Sequence, residues 1–280
     1  MFQSSLRGKS GILTGGSSGF GLEIVKALAA QGANVSVFSA DEPPTEERER
    51  LTRDGAVDFH TMDILAPEAS DRMVELAQQR YGGVDFAVAN AGFAVRFEQP
   101  LLSMPTAKVA EGLRRQFEIF PIAFATLALA AARAMAPKYS AIKAEESGHR
   151  PDSGAIVVNL SESALNPLRD DLLAYAAAKK ASQWILRSLA ATLGHLNIRV
   201  NGIAPGFANT KGPRQFYDRY PEIRQDVERQ SHLKPAFMAS AAVVPAVLYL
   251  LTDNYCTGEV IALDGGYNIH QSCFFQKERA

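Results

Sequence analysis

Apolar positions in this chain come in two rhythms. Short apolar, β-branched runs at residues 33–39, 57–62, 84–89, 154–160, 198–204 and 259–263, and the pair Ile12-Leu13, read as strands. Between them lie stretches with apolar residues at helical spacing: 22–30, 67–81, 106–135, a segment continuing through 181–193, and 241–251. Pro67 is expected in the first turn of its helix, where a missing N–H costs nothing. Pro121 lies inside the long pattern, where it removes one donor and clashes with the Phe117 carbonyl, so a kink is expected there. Polar stretches at 41–53 and 137–153 read as solvated surface, the second carrying Lys138, Lys143, Glu145, Glu146 and Arg150.

Composition narrows the class. The 280 residues are 47% apolar, enough for a substantial core, and no repeat or linker divides them. A net charge of −1 argues against a nucleic-acid partner held through phosphates. Cys256 and Cys273 form neither a disulfide framework nor a metal spacing, and the five histidines are scattered, so no metal is expected. A reduced, cytoplasmic setting is the simplest expectation. The N-terminal residues lack the apolar core of a signal peptide, and the apolar stretches 122–132 and 241–251 are too short to span a bilayer. The sequons at Asn34 and Asn159 fall in predicted strands and read as chance.

The stretch Thr14-Gly15-Gly16-Ser17-Ser18-Gly19-Phe20-Gly21 joins the first strand to the first helix. Glycines let the backbone turn tightly and approach a ligand, and the new helix offers free N–H groups to an anion. With Gly15, Gly19 and Gly21 spaced as T-G-x-x-x-G-x-G, the octet resembles the cofactor loop of the short-chain dehydrogenase/reductase family. Other motifs extend that resemblance over about residues 7–268: Asp63-Ile64, Asn90-Ala91-Gly92, Tyr175-x-x-x-Lys179, Pro205-Gly206-Phe207-x-x-Thr210 and Asp264-Gly265-Gly266.

The resemblance implies an α/β fold, a doubly wound parallel sheet of Rossmann type in one domain over residues 1–269. A substrate lid is expected at about 207–236 and a tail at 270–280. It implies a nicotinamide dinucleotide bound by Gly15, Ser17, Ser18, Gly19, Phe20 and Gly21, with Asp63 and Ile64 at the adenine. Asn90 would brace the sheet while Ala91 and Gly92 lie along the cofactor, and Pro205, Gly206, Phe207 and Thr210 would hold the carboxamide. At the adenosine ribose, Ser39 takes the place of an acid and Ala40 that of an arginine. With Asp41 and Glu42 beside them, the pattern leans to NAD(H) and leaves NADP(H) open.

Tyr and Lys four residues apart share one helix face. A phenol of reference pKa ~10 is too weak a base at neutral pH, but an ammonium about 4 Å away contributes roughly 4 kcal/mol at an effective dielectric of ~20, or ~3 pKa units. Tyr175 is therefore expected as the acid/base and Lys179 as its tuning cation, which in the family also holds the nicotinamide ribose. For the oxygen-binding serine two registers compete. Counting back thirteen from Tyr175 lands on Glu162, whereas aligning from the strand at 154 lands on Ser161 and brings Pro167-Leu168 into line. Ser161 is preferred, with Ser163 as the second choice. Glu162 is expected to be a solvated loop residue, with a pocket acid as the alternative.

Two positions depart from the family: Ala89 replaces the first asparagine of its usual N-N-A-G motif, and the other lies in the long helical pattern. Phe120 stands where a catalytic asparagine is usual. Phe120-Pro121 is expected to keep the helix kinked, with the Phe117 carbonyl available to a water near Lys179. The implied activity is reversible oxidation of a secondary alcohol to a ketone, by a homotetramer or homodimer. Aromatic residues and arginines in the lid would suit an aromatic or carboxylate-bearing substrate. Two other readings stay open: a nucleotide-binding sensor that has lost turnover, suggested by Phe120, and a non-redox enzyme using Glu162 as an extra acid.

Overall fold

The structure is a computed structural model that describes residues 6–142, 152–166, 170–210, 214 and 217–269. Strands β1 (Ser10–Thr14), β2 (Asn34–Ser39), β3 (Val57–Thr61), β4 (Phe86–Ala89), β5 (Gly154–Asn159), β6 (Ile198–Pro205) and β7 (Val260–Leu263) form one sheet. Their order is β3-β2-β1-β4-β5-β6-β7, and every pairing is parallel. This is the doubly wound architecture expected from the sequence.

Helices cover both faces, so the strands are apolar on both sides. Successive residues point to opposite faces. Ile12 therefore packs with Met73, Met135, Ile156 and Leu186 on one face, while Leu13 packs with Ile24, Leu28, Val157 and Val247 on the other. The first face carries α3 (Ala69–Tyr81), α5 (Ala123–Tyr139) and α6 (Leu173–Leu193). The second carries α1 (Gly19–Ala30) and α8 (Val244–Thr252). Helices α2 (Thr45–Thr52), α4 (Thr106–Phe117) and α7 (Pro221–Gln230) complete the chain order.

Three expectations need correction. Helix α3 begins at Ala69, and Pro67 precedes it in a turn closed by the Ala69 N–H donating to the Ala66 carbonyl. The chain enters that helix through Glu68 at φ 61°, a left-handed conformation that ends the proline turn. The long apolar pattern runs on to Tyr139. As one 34-residue helical stretch, Thr106–Tyr139, it is long and apolar enough to cross a membrane by composition, yet 56% of its most apolar window is buried inside the protein. Within it, Glu118–Ile122 forms a π-helical turn around Pro121. The missing proline N–H is accommodated by widening one turn rather than by ending the helix.

The strand order reverses between β1 and β4, which places a crevice outside their carboxyl ends. All the candidate motifs fall along that edge.

Candidate active site

Gly15 sits at φ 72°, and a Cβ there would lie 2.7 Å from Ala91 Cα. The β1–α1 turn and the segment after β4 are thus in backbone contact, which only glycine allows. Helix α1 starts after Ser18 without a side-chain cap, leaving its first N–H groups directed at the crevice. Thr210 comes close to this loop: its methyl would be 3.9 Å from a Cβ on Gly19.

Asn90 ties the crevice floor together. Its side-chain amide donates to the carbonyls of Thr14 (3.2 Å) and Gly15 (2.9 Å), and its Oδ1 accepts from the Asn159 amide at 2.8 Å. Thr14 Oγ1 in turn accepts from the Asn90 and Ala91 backbones. The ends of β1, β4 and β5 are held by these bonds, as the family resemblance implies.

A cleft of about 460 Å³ follows. Gly15, Ser17, Ser18, Phe20, Gly21, Ser39, Ala40, Asp41, Asp63, Ile64, Asn90, Ala91 and Gly92 all contribute to its lining. The Ser39 hydroxyl is buried here with no hydrogen-bond partner among the described residues. Asp63 Oδ1 accepts from the Leu65 N–H at 2.9 Å, which fixes the turn that carries it.

A second space of about 570 Å³ adjoins Ser18, Asn90 and Gly92 and reaches Ser161, Tyr175, Lys179, Pro205, Gly206, Phe207 and Thr210. Ser161, Tyr175 and Lys179 therefore line one pocket with the glycine loop. Ser161 is 5% exposed and Lys179 4%. The Lys179 ammonium donates to the Asn159 carbonyl at 2.7 Å and lies 3.7 Å from the centre of the Phe120 ring. Phe120 also meets Tyr175 edge to face, with centroids 5.4 Å apart. Gly92 makes room for that ring, since a Cβ on it would lie 2.2 Å from Phe120 Cε1. Where the resemblance implies an asparagine, the chain sets the Phe120 ring against Lys179.

The electrostatics differ from the expectation drawn from spacing. Burial pushes the Lys179 ammonium down to about 7, with the Glu162 charge working the other way. Burial pushes the Tyr175 phenol above its ordinary range, and Glu162 adds to this, against a hydrogen bond with Ser161 and the charge of Arg96. Lys179 Nζ lies 5.6 Å from the Tyr175 ring centre. In the protein alone, taking the phenolate out of water is the largest influence on Tyr175.

Glu162 is the second correction at this site. It is 6% exposed and faces the pocket rather than solvent. Its carboxylate accepts from Ser161 Oγ at 2.6 Å and from Ser163 Oγ at 2.9 Å, and burial pushes its carboxyl up. Spacing alone could not decide this, because the 3-10 turn Glu162–Ala164 folds the loop inward.

The pocket lining also includes residues that no sequence motif singles out, Asn159, Arg96 and Leu172 among them. Asn159 anchors Lys179 through its carbonyl and Asn90 through its side chain. Arg96 pairs with Asp171 at 2.8 Å, and Leu172 adds an apolar patch. Only Asn159, at the end of a buried strand, had a visible signal. In the lid, Tyr217 reaches the pocket and packs with Phe207 and Phe237, and Phe207 in turn packs with Tyr267. Arg224 pairs with Asp218 and Glu228 and lies against Phe237. Pro167-Leu168, Lys143, Glu145, Glu146, Arg150, Phe216 and the tail 270–280 lie outside the described residues.

Comparison with known proteins agrees with this geometry. A family model described as enoyl-(acyl carrier protein) reductase matches residues 15–268. The 7alpha-hydroxysteroid dehydrogenase of Escherichia coli K12 is 28% identical over 279 positions, covering 95% of this chain and 98% of that protein. The NADPH-dependent 3-quinuclidinone reductase from Rhodotorula rubra is similar in structure at TM-score 0.80 and 25% identity, covering 95% and 93% of the two chains. So is a 7 alpha-hydroxysteroid dehydrogenase complexed with NADH and 7-oxo glycochenodeoxycholic acid, at TM-score 0.75 and 25% identity, covering 94% and 96%. With the glycine loop, the braced sheet and the Tyr-Lys helix along one crevice, and relatives matching nearly end to end, this chain belongs to the short-chain dehydrogenase/reductase family of oxidoreductases.

Proposed function

We propose that the protein interconverts a secondary alcohol and a ketone with a nicotinamide dinucleotide, Tyr175 serving as the general acid/base. The observation that carries this is the convergence of Ser161, Tyr175 and Lys179 on the pocket that opens into the glycine-loop cleft. The residues present fit such a cofactor. The glycine turn leaves no room for a Cβ, the uncapped start of α1 suits a diphosphate, and the unpartnered Ser39 hydroxyl suits a ribose. Gly15, Ser17, Ser18, Gly19, Phe20 and Gly21 would hold the diphosphate end, and Asp63 and Ile64 the adenine. Ala91, Gly92, Pro205, Gly206, Phe207 and Thr210 would line the nicotinamide end.

A bound nicotinamide would supply the hydride acceptor or donor, and its positive oxidised ring would favour the phenolate. The chain's own residues manage the oxygen. Tyr175 exchanges the hydroxyl proton, Ser161 holds the oxygen by a hydrogen bond, and Lys179, fixed on the Asn159 carbonyl, would hold the ribose and favour the ionised phenol.

NAD(H) is the preferred cofactor on this reading. Ala40 offers no cation to a 2′-phosphate, and Asp41 lines the cleft beside it. Glu42 already accepts from Thr61 at 2.5 Å and pairs with Arg48. Phe93, Phe207, Tyr217 and Leu172 give the pocket apolar walls suited to a ring-bearing substrate. Trp184, 69% exposed on α6, suits a subunit contact in a homodimer or homotetramer. A screen of ring-bearing ketones with reduced cofactor deuterated at the nicotinamide C4 tests the proposal. Deuterium should appear at the new carbinol carbon. Cofactor binding with no transfer to any ketone would overturn it.

A further inference from the structure

The short-chain reductase chemistry asks Ser161 to donate a hydrogen bond to a ketone or alkoxide oxygen, and this structure gives that proton another destination. Ser161 Oγ lies 2.6 Å from Glu162 Oε2, and Ser163 Oγ lies 2.9 Å from the other carboxylate oxygen. The Ser163 N–H donates to Ser161 Oγ at 3.2 Å. A serine carries one O–H, and an ionised carboxylate only accepts. While Glu162 is ionised, Ser161 donates its one O–H to Glu162 and turns only lone pairs to the pocket, where the Tyr175 hydroxyl is its hydrogen-bond neighbour. A ketone oxygen, which also offers only lone pairs, then finds no donor in Ser161. Once Glu162 is protonated, the acid O–H can donate to a serine and the Ser161 proton is released to the substrate.

We propose that Glu162 is a positioning residue whose protonation sets whether Ser161 meets the substrate oxygen as donor or as acceptor. This rests on the oxidoreductase reading above. Glu162 is buried, and among the described residues no lysine or arginine forms an ion pair with it. The groups around it come from several elements. Tyr175 and Lys179 face it from α6, Arg96 from the loop after β4 with its partner Asp171, and Tyr217 from the lid. Lys179 is the cation that favours an ionised Glu162, and Glu162 in turn holds the Tyr175 phenol protonated. Ketone reduction is thus favoured on the acid side of the Glu162 titration, where Ser161 and Tyr175 are both donors.

The test compares pH profiles of kcat/KM for ketone reduction in the wild type, Glu162→Gln and Ser163→Ala. The wild type should lose activity about tenfold per pH unit above one limb, and Glu162→Gln should lack that limb. Ser163→Ala removes one donor to the carboxylate, which disfavours its ionised form, so the limb should move to higher pH. Superimposable profiles would overturn the proposal. Infrared pH-difference spectra of the cofactor-free protein supply a readout independent of turnover. The protonated-carboxyl stretch should vanish in Glu162→Gln and shift in Ser161→Ala; a band indifferent to both would also overturn it. If the band behaves as described and no alcohol or ketone is turned over, the oxidoreductase reading fails and takes the substrate role of Glu162 with it. Melting curves and reduced-cofactor fluorescence check that Glu162→Gln folds; if it does not, the direction of the Ser163→Ala shift decides alone.

Discussion

The cleft has two halves built by different means. Its dinucleotide half is backbone: a glycine turn against Ala91, an uncapped helix start, and strand ends locked by Asn90. Its catalytic half is a cluster of buried titratable side chains, with Glu162, Tyr175 and Lys179 each displaced from their ordinary pKa by burial. Steric demands travel with the sequence, since a position without room for a Cβ must be glycine wherever the loop occurs. Electrostatic demands do not, because each charge answers to its neighbours and to how much water the fold removes.

Lys179→Met sharpens the contrast most. On the proposed role, turnover should fall about a hundredfold or more, since the residue that holds the ribose and favours the phenolate is lost. The same change should stabilise the cofactor-free protein. Burial holds the folded-state pKa of Lys179 at about 7 against its ordinary 10.5, so between these values the unfolded chain binds more protons. Wild-type stability therefore gains a contribution as pH rises through that window. The advantage of Lys179→Met should be greatest at or below pH 7 and shrink towards pH ~10, as read by melting temperature. An advantage that does not vary with pH would mean that Lys179 keeps its ordinary pKa.

Gly15→Val tests the backbone half. Strain of roughly 1–3 kcal/mol at φ 72° and contact with Ala91 should weaken dinucleotide binding about 10- to 100-fold by calorimetry. The titrations around Glu162 should stay in place, because that cluster rests on other elements. Ala40→Arg should have the smallest effect. By adding a cation beside the unpartnered Ser39, it should improve NADPH binding about tenfold and leave NADH nearly unchanged.

The same divide explains how far the sequence could be read. Alternation of apolar runs and helical spacing located every strand, because both faces of a parallel sheet are buried and the runs stay apolar. Pro67 misled because a proline suits a helix's first turn and a preceding turn equally. The four-residue spacing pointed to Tyr175 and Lys179, and alignment from the strand at 154, against the spacing that gives Glu162, pointed to Ser161; the three line one pocket. Glu162 was misjudged because a polar loop residue beside a strand is usually solvated, and only the inward 3-10 turn buries it. Phe120 was noticed as a gap in a pattern. Its packing on Lys179 and over Gly92 depended on the path of the π-helical turn, which a local motif does not specify. Arg96 carries no motif at all; its place is set by Asp171, 75 positions away.

The central claim is that the Tyr175 hydroxyl carries the proton beside a bound dinucleotide. Turnover of Tyr175→Phe, measured with cofactor affinity on the same preparation, tests it most directly. The account predicts turnover reduced about 10³-fold or more, with NADH binding within a few-fold of the wild type. Turnover within tenfold of the wild type would contradict it.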